Sequence, residues 1–144
     1  MSFQNILVPV DDSPISYAAV EHALSLAKLS NATVTLLSVV AVDPFVGVDF
    51  YQVAPAITEH FMQAEAHAKT QLLDIAQSFI RDGISVNTKI HHGAASESII
   101  FVADEICADL IIMGSHGRKG MKRLILGSVA RTVLSESHIP VLIV

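Results

Sequence analysis

The chain of 144 residues is short of basic residues, of cysteine and of long apolar runs, and each shortage removes a class of function. Lys and Arg number nine against fourteen Asp and Glu, for a net charge of −5. A general nucleic-acid surface needs a basic face or domain, so nucleic acid is not an expected partner. The one cysteine, Cys107, cannot form an internal disulfide, and a reducing cytoplasm is the expected compartment. Cys107 stands beside apolar positions in a helix-like stretch and is expected to be a buried, inert thiol. No apolar run reaches the ~18 residues of a membrane helix, so no membrane association is expected. The opening Met-Ser-Phe-Gln-Asn lacks the basic start and the small-residue cleavage site of a signal peptide. No G-x4-G-K-S/T stretch occurs, which excludes a P-loop nucleotidase. No internal repeat, low-complexity tract or linker interrupts the chain, and a single domain over residues 1–144 is expected.

What is present is apolar and periodic. Hydrophobic residues make up 51% of the chain and mean hydropathy is +0.53, which excludes an intrinsically disordered chain. Ile6 to Val10 reads as a first strand, followed by Ser13 as N-cap and Pro14 at the first helical position. Ile15, Ala18, Ala19, Ala23, Leu26 and Ala27 then mark one helix face. Asn31 breaks that helix, and Ala32 to Val40 reads as a second strand. Residues 41–56, with Pro44, Gly47 and Pro55, read as a long loop in which Phe45, Phe50 and Tyr51 could cover a ligand. The steps from Ile57 through Phe61, Ala64, Ala68, Leu72 and Ile75 to Phe79 predict a long helix that stops at Gly83. A third strand over Ser85–His91 alternates apolar and polar residues, as at a sheet edge. A helix carrying Ile99, Val102, Ala103 and Ile106 follows. Leu110 to Met113 is a buried strand, Val129 to Leu134 is helical, and Val141 to Val144 is the last strand. Five strands alternating with helices imply a parallel sheet with helices on both faces.

The scarce positive charge is concentrated. Arg118, Lys119, Lys122 and Arg123 fall within six positions, and Gly114, Gly117, Gly120 and Gly127 are four of the chain's seven glycines. The remainder carries five basic and fourteen acidic residues, a net of −9. A local anion site is the implied use. In open parallel sheets ligands bind beyond the carboxyl ends of the strands. Two segments occupy such ends: Pro9-Val10-Asp11-Asp12, and the run from Gly114. Glycines let the backbone approach a phosphate, and a helix beginning near Gly127-Ser128 would add free amides and a partial positive charge. The bland alternative is a tight turn with Ser128 as an ordinary N-cap. Arg118 is placed near phosphate, whereas Lys119, Lys122 and Arg123 are expected on the surface.

The spacing Gly114-x2-Gly117-x9-Gly127-Ser128 resembles the G-x2-G-x9-G-S/T motif of the ATP-binding universal stress proteins. The likeness extends to Ile6-Leu7-Val8-Pro9-Val10-Asp11, to Ala108-Asp109 leading into Gly114, and to Pro140 through Val144. The resemblance implies an adenine-nucleotide α-hydrolase-like three-layer sandwich with strand order 3-2-1-4-5. By the same resemblance, Pro9, Val10 and Asp11 would line the adenine and ribose region, and Val39 and Met113 would pack near the base. Gly114, His116, Gly117 and Arg118 would run along ribose and phosphates, and Gly127, Ser128 and Val129 would close on the phosphates. Ala95 departs from the family, which often has proline there, and is expected to lie outside the pocket.

Asp11 could accept a hydrogen bond from a ribose hydroxyl, and Asp11 or Asp12 could meet phosphates through Mg²⁺. Asp11 is assigned the nucleotide role and Asp12 the complement of a helix dipole. The histidines do not form a metal pattern. His91 and His92 should point to opposite faces of a strand, and His60 and His67 have no third ligand at helical spacing. Ser115 does not sit in a G-x-S-x-G elbow and has no evident base–orienter partners. The implied function is a cytoplasmic, nucleotide-dependent regulatory module that binds ATP or another adenine nucleotide. The alternative is a slow Mg-dependent ATPase or self-phosphorylating enzyme, slow because no general base or water-positioning residue is evident. A flavin or electron-transfer module fits the motif less well. The last strand, Val-Leu-Ile-Val, is an uncharged edge in that strand order, and pairing through 140–144 in a homodimer would cover it.

Overall fold

The computed structural model describes residues 2–41, 50–116 and 126–144. The elements run β1 (Asn5–Pro9), α1 (Pro14–Ser30), β2 (Thr33–Val40), α2 (Phe50–Arg81), β3 (Val86–His92), α3 (Ala95–Glu105), β4 (Leu110–Met113), α4 (Ser128–Glu136) and β5 (Val141–Ile143). The strands form one parallel sheet in the order β3-β2-β1-β4-β5. This is the doubly wound order that the resemblance implies, and its switch point lies between β1 and β4.

Side chains alternate across a strand, so each central strand feeds two cores. Ile6 and Val8 of β1, Val34 and Leu36 of β2, and Leu110 and Ile112 of β4 pack under α1 and α2, around Ala23, Leu72 and Phe79. Leu7, Leu37, Ile111 and Met113 face the other way, onto Ile99 and Val102 of α3 and Val133 of α4. Three layers follow from that alternation. Strand β4 is buried at all four positions, as an apolar run in the middle of a sheet requires. On the edge strand β3, His91 meets Ser98 and Phe101 of α3, while its neighbour His92 meets Glu65 and Phe61 of α2. The two histidines thus point to opposite faces.

Three helices end in the same way before the chain enters a strand. The amide of Ala32 reaches the carbonyl of Ala27, that of Ile84 reaches Phe79, and that of Ala108 reaches Ala103. These are the six-to-one bonds of the Schellman end, which needs a left-handed residue just inside it. Asn31 (φ 56°), Gly83 (φ 74°) and Cys107 (φ 55°) supply it. The expectation for Cys107 is corrected by this: helix α3 stops at Glu105, and the thiol is exposed on the reversal, not buried within a helix.

Two further expectations change. The loop expected over 41–56 is shorter at its far end, because α2 begins at Phe50. Nucleation is the costly step of helix formation, so a helix secured from Ile57 onward extends backward through Pro55, although proline there removes an amide donor and crowds the carbonyl four residues earlier. Residues 42–49, and the side chains of Phe45, Phe50 and Tyr51, lie outside the described residues. Ser13 does occupy the N-cap of α1, ahead of Pro14, but its hydroxyl makes no capping bond. It is directed to Asp11 instead.

Candidate functional site

A cleft of about 490 Å³ opens at the carboxyl ends of β1, β2 and β4. Ten candidates from the sequence line it: Pro9, Val10, Asp11, Val39, Met113, Gly114, His116, Gly127, Ser128 and Val129. Gly117 and Arg118 lie outside the described residues, as do Lys119, Gly120, Lys122 and Arg123. The lining also includes Ser13, Ile15 and Ser16 from the start of α1, Leu37 and Ala41 from β2 and its end, Ala95 and Ile99 from α3, and Ala130 from α4. Ala95 had been expected outside the pocket. It belongs to the rim because α3 starts there and aims its first turn at the cleft.

The two described glycines of the motif serve space, not a left-handed φ. A Cβ on Gly114 would stand 2.7 Å from Ile15 Cγ2, so the end of β4 can press against the first turn of α1 only as glycine. A Cβ on Gly127 would stand 3.2 Å from His116 Cα and 3.4 Å from the Ser115 carbonyl oxygen. That close approach permits a short clasp: the Gly127 amide donates to Ser115 O at 2.7 Å, and the Ser115 amide donates to Val144 O at 2.9 Å. The clasp joins the end of β4, the start of α4 and the end of β5.

Gly127 is the N-cap of α4, which corrects the bland alternative of Ser128 in that place. The first intrahelical bond comes from the Arg131 amide to Gly127 O at 3.0 Å. The amides of Ser128, Val129 and Ala130 therefore have no intrahelical partner. All three residues line the cleft. Such a helix start is a ready-made anion site.

Asp11 holds the opposite wall. Its Oδ1 accepts from the Ser13 amide at 2.8 Å and from the Ser13 hydroxyl. Its amide donates to Ser16 Oγ at 2.9 Å, and its carbonyl accepts from Gln71 Nε2 at 3.0 Å. Ser13 and Ser16 are both buried. Asp12 turns outward and meets His67 of α2 at 3.5 Å. Ser115 has a base neighbour that the sequence did not reveal: its Oγ lies 3.0 Å from Nδ1 of His116. Among the described residues no three His, Cys, Asp or Glu side chains converge as metal ligands, and no helix is long and apolar enough to cross a membrane.

A doubly wound parallel sheet with a helix start and a carboxylate lining one cleft at its switch point defines an α/β protein built around a crevice for a small ligand. The universal stress protein family model matches residues 2–144, and the chain belongs to that family. It is 34% identical over 142 residues to the universal stress protein MJ0531 of Methanocaldococcus jannaschii, covering 99% of this chain and 82% of that protein. The solved structure of MJ0577, a universal stress protein of the same organism, superposes with a TM-score of 0.88 at 30% identity, covering 100% of this chain and 96% of that one. A universal stress protein crystallised in complex with cAMP superposes with a TM-score of 0.71 at 26% identity, covering 100% of this chain and 98% of that one.

Proposed function

We propose that this chain is a single-domain regulatory module of the cytoplasm that binds an adenine nucleotide, ATP in the first instance, in the cleft between Asp11 and the start of α4. The observation that carries the reading is that one cleft holds both a fixed carboxylate and three helix-start amides. The apolar wall of Leu37, Val39, Ile99 and Met113 suits a purine. Asp11 takes the ribose, and Gly114, His116 and the amides of Ser128–Ala130 take the phosphates. Gly117 and Arg118 complete the phosphate side, and Mg²⁺ accompanies the phosphates through Asp11 or Asp12. Nucleotide binding by a relative of the same fold, in complex with cAMP, supports the class of ligand. The chain assembles as a homodimer through strand 140–144, since β5 is a sheet edge whose Leu142 is exposed.

Thermal melting tests the binding. A nucleotide at a hundred times its dissociation constant adds about 2.7 kcal/mol, which for this length raises the melting temperature by roughly 5–10 °C. ATP should give that shift and FMN should not. No shift with ATP or AMP would remove the reading.

A second reading, slow phosphoryl transfer, is favoured by one observation. The Ser115 hydroxyl contacts Nδ1 of His116, which lines the cleft, the pairing of a nucleophile with a base. Incubation with Mg-ATP followed by intact mass and phosphate release separates the readings. The regulatory reading expects neither covalent phosphate nor release above a Ser128→Asp control.

A further inference from the structure

The proposed nucleotide reading leaves unexplained why Asp11 is held from outside its own loop. Ser13 and Ser16 are within five residues of Asp11 and move with it. The third contact is different. Gln71 lies sixty positions away on α2, and its Nε2 donates to the Asp11 carbonyl at 3.0 Å. Gln71 does not line the cleft. His67, one turn earlier on the same helix face, meets Asp12 at 3.5 Å. Helix α2 thus grips the Asp11–Asp12 corner at two successive turns, while its apolar face, Leu72, Ile75 and Phe79, is anchored in the core under β1 and β2.

A carbonyl just past a strand end has no ladder partner, so a side-chain donor fixes the Asp11–Asp12 peptide plane, and with it the Asp11 Cα from which the side chain leaves. Both side-chain contacts of Asp11 use Oδ1, so among the described residues Oδ2 is left without a partner on a residue that lines the cleft. The direction of Oδ2 then depends on the amide of Gln71. We infer that Gln71 is a positioning residue for ligand selection. It holds the Asp11 carboxylate where it accepts from a ribose diol, so that the site prefers ribonucleotides over sugars lacking both hydroxyls. The inference rests on the nucleotide reading above.

The test is the ratio of dissociation constants for 2′,3′-dideoxy-ATP and ATP, by calorimetry on the full chain. A hydrogen bond to a charged acceptor corresponds to about a tenfold preference for ATP in the wild type. Gln71→Leu and Gln71→Glu, which both lack the donor, should reduce the ratio to about threefold or less. Gln71→Lys restores a donor on a longer stem and should keep the wild-type ratio. Taking a ratio cancels the charge effects of Glu and Lys on the shared triphosphate. In an Asp11→Ala background, Gln71→Leu should leave the ratio unchanged, which a merely structural role would not predict. If Gln71→Leu melts too low to assay, Gln71→Glu carries the test. A wild type that prefers ATP together with donorless variants that prefer it equally overturns the inference and leaves nucleotide binding standing. A wild type that binds both nucleotides equally overturns it as well, and a wild type that binds neither overturns this and the nucleotide reading together.

Discussion

At the scale of single residues, two positions behave against their usual chemistry. Gly114 is glycine because Ile15 leaves no room for a methyl group. Gly114→Ala overpacks that contact and should destabilise the fold by about 1–3 kcal/mol. Adding Ile15→Ala should return part of the loss, which a double-mutant cycle by urea denaturation reads as coupling. Additive losses would mean that the crowding lies elsewhere. Cys107 occupies a left-handed position usually given to glycine. Cys107→Gly should stabilise by up to about 1 kcal/mol, and the β-branched Cys107→Val should destabilise by a similar amount or more. The opposite order in melting temperature would contradict the assignment of the Schellman end.

The same residues mark where sequence reading stops. Gly114 and Gly127 are legible as parts of a spacing, but not the partners that require them, since Ile15 and His116 reach them through tertiary packing. Cys107 is not legible as a helix end, because its apolar neighbours suggest a continuing helix and cysteine, unlike glycine or asparagine, is not a usual left-handed residue. Gln71 is one polar residue among many on a long helix. Its bond to a carbonyl sixty residues away has no signature in composition or period.

At the scale of elements, α4 carries most of the functional expectation. Its exposed first residue, Ser128, can be changed without touching the core. Ser128→Asp puts a carboxylate where a helix dipole welcomes it, and should leave the ligand-free protein as stable or up to about 1 kcal/mol more stable. In the proposed complex the same carboxylate faces the phosphates, so the rise in melting temperature with ATP should fall to about half or less. A variant that keeps the full ATP shift would move the phosphates away from α4. Elements were also the most legible level of the fold. Strand β4, a run of four apolar residues, reads as central and is buried throughout, and β3, with alternating polarity, reads as an edge and is one. The start of α2 was not legible, because Pro55 reads as a breaker although the helix secured downstream runs through it.

At the scale of the whole molecule, the strand order brings the ends of β1 and β4 together and leaves β5 at the edge. The clasp from Gly127 through Ser115 to Val144 ties that edge to the cleft. Pairing through β5 is therefore expected to be sensitive to the site's occupancy. Light scattering at micromolar concentration should give twice the chain mass, and Leu142→Lys, a charge on an apolar edge, should give the single-chain mass with the fold intact. A monomeric wild type would remove the homodimer from the account.

The central claim, a nucleotide held between Asp11 and the start of α4, meets its most direct test in a calorimetric titration of ATP into the wild type and into Ser128→Asp. The account predicts one saturable site per chain in the wild type and at least a tenfold weaker one in the variant, the loss of about 1.4 kcal/mol or more. Equal affinity in the two proteins, or no binding by a folded wild type, would contradict it.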